Sequence, residues 1–172
     1  TEICLKENIK KPFFVIMDAT VEQCLYVKGD AISHYCAWGN DGEPFEAMHL
    51  RNIEKWEREN KECEENGLQF IPTITSGWNN ETRHENPVGW ITADLSRSYV
   101  QYATADEVYN QTKAAKDFLI NKNIPVNSAI IYAWNEHDEG GWVCPTIKVD
   151  ENGNQLFDEN GKKLINEERI NA

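Results

Sequence analysis

The sequence predicts an α/β fold of four consecutive βα units. Three observations carry this. Four β-prone runs, at 13–17, 31–35, 69–75 and 128–134, alternate with helix-patterned stretches. The run at 13–17, FFVIM, is continuously apolar, which reads as a parallel strand buried on both faces. No G-x-G-x-x-G and no P-loop follows any run, so the alternative of a small doubly wound sheet lacks its dinucleotide fingerprint. A complete eightfold barrel takes roughly 250 residues. Four units in 172 residues correspond to half of one.

Residues 1–11 read as a helix tail, with Ile3, Leu5 and Ile9 apolar and Lys6, Lys10 and Lys11 late, where cations suit a helix C-terminus. A helix entered without a cap predicts a fragment of something larger. The first strand, 13–17, follows Pro12 and ends at Asp18. The second, 31–35, leads into a Gly- and Asn-rich loop. A helix is expected over 46–66, with Met48, Leu50, Ile53 and Trp56 apolar among charges and Gly67 closing it. The third strand, 69–75, precedes a polar loop over 76–86. Thr104 with Glu107 forms a capping-box pattern for a helix from Ala105 to about Lys122, with Val108, Ala115, Phe118 and Leu119 on its apolar side. The fourth strand is 128–134. Beyond Pro145, segments 146–149 and 155–157 flank D-E-N-G-N and read as a hairpin. Residues 167–172 read as a helical stub. The division expected is 1–145 for the half-barrel and 146–172 for a hairpin extension of the same domain.

Composition narrows the function. Lys and Arg number 17 against 29 Asp and Glu, a net charge of −12. Such a surface repels phosphate and argues against nucleic acid. No stretch of about 18 apolar residues exists to span a membrane. Cysteines at 4, 24, 36, 63 and 144 are odd in number and lack C-x-x-C spacing, which argues against a disulfide framework or a zinc knuckle.

Residues that look least like packing follow the strands, where barrel active sites form. They are Asp18; His34 and Tyr35; Trp78, Asn79 and Arg83; then the cluster W-N-E-H-D-E-G-G-W at 134–142. Trp38 stands at the second strand's end as well. Glu136, Asp138 and Glu139 put three carboxylates within four positions, and like charges this close raise one another's pKa. Glycosidases need one protonated acid and one ionised partner. Trp134 and Trp142 offer flat apolar faces to a sugar ring, and Asn135 lies between Trp134 and Glu136. Gly140 and Gly141 let the backbone turn sharply. Each residue also has a plain reading. The cluster can be an exposed acidic loop, His34 a structural histidine, Trp78 a cap on the strands, Arg83 a solvated charge, and Asp18 a loop-orienting group. No metal and no cofactor is expected. Adjacent His137, Asp138 and Glu139 cannot easily face one ion. Asp150-x-Asn152-x-Asn154 looks like the start of a calcium loop, but Gln155 stands where an EF-hand needs Gly, so turn chemistry explains it better.

The pattern W-N-E-x-x-E-G at 134–140 resembles glycoside hydrolase family 99 and the related WbsX-like glycan-processing proteins. The segment F-I-P-T-I-T-S-G-W at 70–78, with Arg83 behind it, is similar to the same family's penultimate strand and loop. The resemblance covers about 12–145. It implies the C-terminal half of a (β/α)8 barrel acting on an oligosaccharide or polysaccharide such as an α-mannoside. It further implies that Glu136 takes the proton of the sugar 2-hydroxyl and that Glu139 serves as acid and then base, with retention through a 1,2-anhydro sugar. Asp18, His34, Tyr35, Trp78, Asn79, Arg83, Trp134, Asn135 and Trp142 would contact substrate. His137 stands where the family often has Trp or Phe. The remaining partner expected is the N-terminal half-barrel or a second copy, since a half-barrel leaves two open sheet edges and an apolar interior. The alternative is a non-catalytic carbohydrate-binding or polysaccharide-assembly protein.

Overall fold

The computed structural model describes residues 2–87, 89 and 98–171. Helix α1, Glu2–Lys6, leads to strand β1, Val15–Met17. Helix α2, Val21–Tyr26, starts in a capping box of Thr20 and Gln23 and returns the chain to β2, Ala31–Ser33. Helix α3, Phe45–Glu65, buries Phe45, Met48, His49, Asn52, Trp56, Asn60 and Cys63, at the three-to-four spacing of one helix face. Strands β3, Gln69–Phe70, and β4, Thr73–Thr75, precede the short helix α4, Glu81–Glu85. Helix α5, Ala105–Lys122, opens on the expected capping box of Thr104 and Glu107 and stops at Asn123, whose φ of 51° is left-handed. Strand β5, Ile130–Tyr132, follows.

All pairings in this set are parallel, β1 with β2, β2 with β3, and β4 with β5. The chain is therefore mixed α/β with parallel strands joined through helices, as the alternation predicts. The expected third strand is divided. Its first half pairs with β2 and its second half with β5, and the change of partner falls at Pro72, which has no N–H to give a ladder. The last ladder bond to β2 is Ile71 N–H to Ile32 O, 3.0 Å. Beyond it, side chains hold the seam. Thr73 Oγ1 donates to His34 O at 2.5 Å, Ala37 N–H to Thr75 Oγ1 at 2.7 Å, and Asn52 Nδ2 to Thr73 O at 3.0 Å.

One core lies between the sheet and the helices, with Ile32, Phe70 and Ile74 packed on Val21, Trp56, Phe118 and Leu119. Full burial of each such side chain stabilises the fold by about 1.5–3 kcal/mol. A second core, of Phe45, Met48, Trp78, Val100, Val108 and Tyr132, underlies the strand ends.

Several expectations are corrected. Strand β1 is not covered on both faces: Phe13 and Phe14 just before it and Met17 at its end are exposed, and among the described residues only β2 pairs with it. Ile131 on β5 is also exposed. The face opposite the helices is not apolar: Ser33, Thr73 and Thr75 alternate with the core residues and are buried, Ser33 hydrogen-bonded to Thr73 and Thr75 Oγ1 accepting from Ala37 N–H. The loop 76–86 contains α4. The hairpin at 146–157 is part of a longer ribbon in which Val149 bridges Gln155, Phe157 bridges Lys163, and β8, Thr146–Ile147, pairs with β9, Ile165–Asn166. Residues 167–171 make one turn, closed by Asn171 N–H to Glu167 O at 3.1 Å, with Ala172 outside the described residues. No helix of the described residues is long and apolar enough to cross a membrane.

Candidate functional site

Past β5 the chain folds into a tight antiparallel hairpin. Strand β6, Asn135–Glu136, pairs with β7, Gly141–Trp142, around a 3-10 turn over His137–Glu139. The two glycines are required by crowding. A Cβ on Gly141 would lie 2.2 Å from the Tyr132 ring, and one on Gly140, whose φ is 73°, would lie 2.8 Å from Asn79. The loop after β4 meets the hairpin backbone to backbone, with Asn79 N–H donating to Glu139 O at 2.7 Å.

This packing sinks Glu139 to 6% exposure. Its Oε2 accepts from the Tyr132 hydroxyl at 2.5 Å and the Tyr35 hydroxyl at 3.2 Å. Its Oε1 is ion-paired with Arg83, which reaches over from α4 and also binds Asp138 Oδ2 through Nε and Nη2 at 3.1 and 3.0 Å. Every hydrogen bond reaching this carboxyl is donated to it. Burial, then the charges of Glu139 and Glu136, push the Tyr35 hydroxyl up to about 12. Tyr35 thus senses both glutamates, so both lie in one neighbourhood. Burial and the Glu139 bond push Tyr132 up as well. Burial pulls the Arg83 guanidinium down, but its Asp138 bonds and the Glu139 charge outweigh this and raise it. The expected cluster of mutually repelling carboxylates is therefore interrupted by a cation. Glu136 is half-buried, and among the described residues its carboxylate makes no hydrogen bond.

The remaining expected residues divide into two groups. Trp134 and Asn135 are exposed beside the carboxylates. Trp142 is half-buried, with the Arg169 guanidinium 4.2 Å over its ring. Asp18 and His34 instead support the site. His34 Nδ1 meets Asp18 Oδ1 at 3.3 Å and Nε2 meets Glu59 Oε2 at 2.6 Å, while Asp18 Oδ1 accepts Tyr35 N–H at 3.1 Å. Both ring nitrogens of His34 are thereby occupied, and the pair fixes the backbone that carries Tyr35. Asn79 is turned to Glu81, whose N–H it accepts at 2.7 Å. Trp78, expected either to contact substrate or to cap the strands, is 5% exposed, donates Nε1–H to Ser98 Oγ at 2.9 Å and packs against Trp38. Trp38, 58% exposed and 4.4 Å from Trp78, presents the open face.

Tyr132, Glu59 and Arg169 escaped sequence reasoning. Strand alternation carries the signal for Tyr132, which sits on the same face as the buried Thr75 it pairs with. Nothing local marks Glu59 or Arg169, whose contacts are long-range. Among the described residues no group of three or more His, Cys, Asp or Glu is placed to hold a metal ion. All five cysteines are unpaired, and Cys144 Sγ lies 3.6 Å from His137 Nε2.

No protein-family model matches the chain, and no curated protein does. Solved structures do. A glycoside hydrolase-like protein is similar at a TM-score of 0.55 and 13% identity, over 83% of this chain and 39% of that one. The GH99 endo-α-mannosidase from Bacteroides thetaiotaomicron, in complex with bis-tris-propane, is similar at 0.50 and 15% identity, over 85% and 41%. At these identities the likeness is one of fold, and it agrees with the resemblance drawn from the W-N-E-x-x-E-G motif. The chain spans about two fifths of the length of the structures it matches.

Proposed function

We propose that the chain supplies the C-terminal half of a (β/α)8 barrel and, with it, the catalytic carboxylates of a retaining glycosidase acting on a glycan such as an α-mannoside. The observation that carries this reading is Glu139: a buried carboxyl at a parallel strand's C-terminal end, aimed by two tyrosines, with Glu136 three residues away. Successive βα units in sheet order support the partial barrel, as does a length near two fifths of the similar glycoside hydrolases.

In this mechanism Glu136 accepts the proton of the sugar 2-hydroxyl as O2 attacks the anomeric carbon. The glycosidic bond breaks, and the leaving oxygen takes a proton from Glu139. Glu139 then takes a proton from water as that water opens the 1,2-anhydro ring at the anomeric carbon. Glu136 returns the first proton to O2. Two inversions give net retention. Trp38 and Trp134 offer the exposed aromatic faces for neighbouring sugar rings. Glu139 must carry a proton at the first step, so this reading requires Arg83 to release Glu139 and keep its bonds to Asp138.

The Arg83–Glu139 ion pair favours a second reading, a carbohydrate-binding or polysaccharide-assembly protein without turnover. The full-length polypeptide, incubated with α-mannosides and other glycans and followed by proton NMR of the new anomeric centre, separates the two. A product with retained configuration is expected. Binding without any product would establish the second reading.

A further inference from the structure

We propose that a cavity beside the hairpin, between Tyr102, Trp142 and the C-terminal ribbon, binds a neutral glycosyl residue. The inference shares the glycan ligand with the proposed function but does not require turnover. The cavity measures about 360 Å³, within the range of about 300–1,000 Å³ of small-ligand sites. Tyr102 and Trp142 form its aromatic side, with ring centroids 5.8 Å apart at 62°. Thr146, Asn166 and Glu168 supply its polar side from the ribbon.

Arg169 builds the wall rather than greeting an anion. Its Nη1 donates to Ser76 O and Trp142 O at 3.4 and 3.2 Å, and its Nη2 to Ala103 O at 3.1 Å. Its guanidinium carbon lies over the Trp142 ring. Three carbonyls and an aromatic face therefore hold its charge, and the other ionised side chain lining the cavity is Glu168. A carboxylated, sulfated or phosphorylated ligand would meet that negative charge. Sugar hydroxyls would not, because they both donate and accept.

The polar groups present are of the kind a sugar uses. The Asn166 oxygen is taken by the Glu168 N–H at 3.0 Å, which leaves its amide Nδ2 as donor. Among the described residues, neither that nitrogen, the Glu168 carboxylate nor the Tyr102 hydroxyl makes a hydrogen bond to protein, although Tyr102 interacts electrostatically with Arg169. Tyr102 is 65% exposed. An aromatic face with an amide donor and a carboxylate acceptor pairs both the C–H side and the hydroxyls of a pyranose. The wall also joins the hairpin: Trp142 pairs with Asn135 across it and lies 5.4 Å from the His137 ring.

Cys144 lines the same cavity and reports on it. The test is the rate of iodoacetamide alkylation at Cys144, followed by peptide mapping in the full-length polypeptide carrying Glu139→Gln. The probes are α-mannotriose, maltotriose and β-1,4-galactotriose, with trigalacturonate as the anionic arm. At least one neutral trisaccharide is expected to slow alkylation at least fivefold, and trigalacturonate is expected not to. Tyr102→Ala and, independently, Asn166→Ala should raise the half-protecting concentration at least tenfold. The proposal is overturned if no neutral trisaccharide protects, or if protection survives both substitutions. Protection in a polypeptide whose wild type hydrolyses nothing removes the proposed catalysis and leaves this site standing. Hydrolysis without protection does the reverse.

Discussion

The Gln111 side chain stands in for a strand. Its Oε1 accepts the Thr75 N–H at 2.5 Å, a bond the neighbouring strand would supply in an unbroken sheet. Asn52 does the same for Thr73 O. Helices α3 and α5 therefore send amides into the seam that opens between β2 and β4, and both are buried to do so. The opening lets the loop after β2 bring Tyr35 to Glu139.

Gln111→Leu keeps the bulk but strands a buried N–H. An unsatisfied buried backbone donor costs about 1–3 kcal/mol. Chemical denaturation should show a loss of that size with the slope unchanged. A variant as stable as the parent would mean that Thr75 finds another acceptor.

Gly141→Ala tests the contact between hairpin and strand. The added methyl would lie 2.2 Å from the Tyr132 ring, whose hydroxyl aims Glu139. Overpacking of this kind costs about 1–3 kcal/mol. A lowered melting temperature with weakened turnover is expected. Unaltered melting would show that Tyr132 is free to move.

Alkaline pH should destabilise the fold. The Tyr35 hydroxyl, ordinarily at 10.0, and the Cys63 thiol, ordinarily at 9.0, are each pushed up to about 12, chiefly by burial. The folded chain holds these protons more tightly than the unfolded one. Their stabilisation is complete below about pH 9 and is lost as pH rises toward 12. Thermal melts from pH 8 to 12 should fall across this window, less steeply in Tyr35→Phe. An equal slope in that variant would remove Tyr35 from the explanation.

Open edges govern what residues 1–172 do alone. The outer edges of β1 and β5 are unpaired among the described residues, and Phe13, Phe14, Met17 and Ile131 are exposed near them. Such edges recruit other strands. Expressed by itself the segment should be dimeric, molten or aggregated. A monodisperse, cooperatively unfolding monomer in sedimentation and calorimetry would contradict this.

What the sequence reveals depends on how local the cause is. Helices α3 and α5 were legible because apolar spacing and a Thr104–Glu107 box act within a few residues. The run 69–75 reads as one strand in sequence although Pro72 is a local mark of its break, and α3 and α5 amides far along the chain satisfy the backbone groups that the break leaves open. The apolar run at 13–17 could not reveal its exposed face, since composition does not say what covers a strand. In the site, the motif at 134–142 located the carboxylates and the Gly pair. It could not show that Asp18 and His34 serve Tyr35, or that Trp38 and not Trp78 faces outward, because those outcomes rest on contacts 16 or more residues apart.

The carboxylates give the sharpest test of the proposed chemistry. General acid–base catalysis by a positioned carboxyl contributes about 10²–10⁴-fold. In the full-length polypeptide, Glu139→Gln should lower turnover of glycans with poor leaving groups by that factor. It should spare the first step for activated aryl glycosides, whose leaving oxygen needs no proton. Glu136→Gln should slow both substrate types, because it removes the base that makes O2 a nucleophile. The two variants should also differ in stability. Glu139 is buried, so Glu139→Gln turns one accepting oxygen into an amide donor that must face either the Tyr132 and Tyr35 hydroxyls or Arg83, and such a buried mismatch costs about 1–3 kcal/mol. Glu136, whose carboxylate makes no hydrogen bond among the described residues, should be replaceable at little cost. Near-parental rates in both variants on an accepted substrate would remove Glu136 and Glu139 as the catalytic pair, and binding with no turnover in the parent would leave the binding protein.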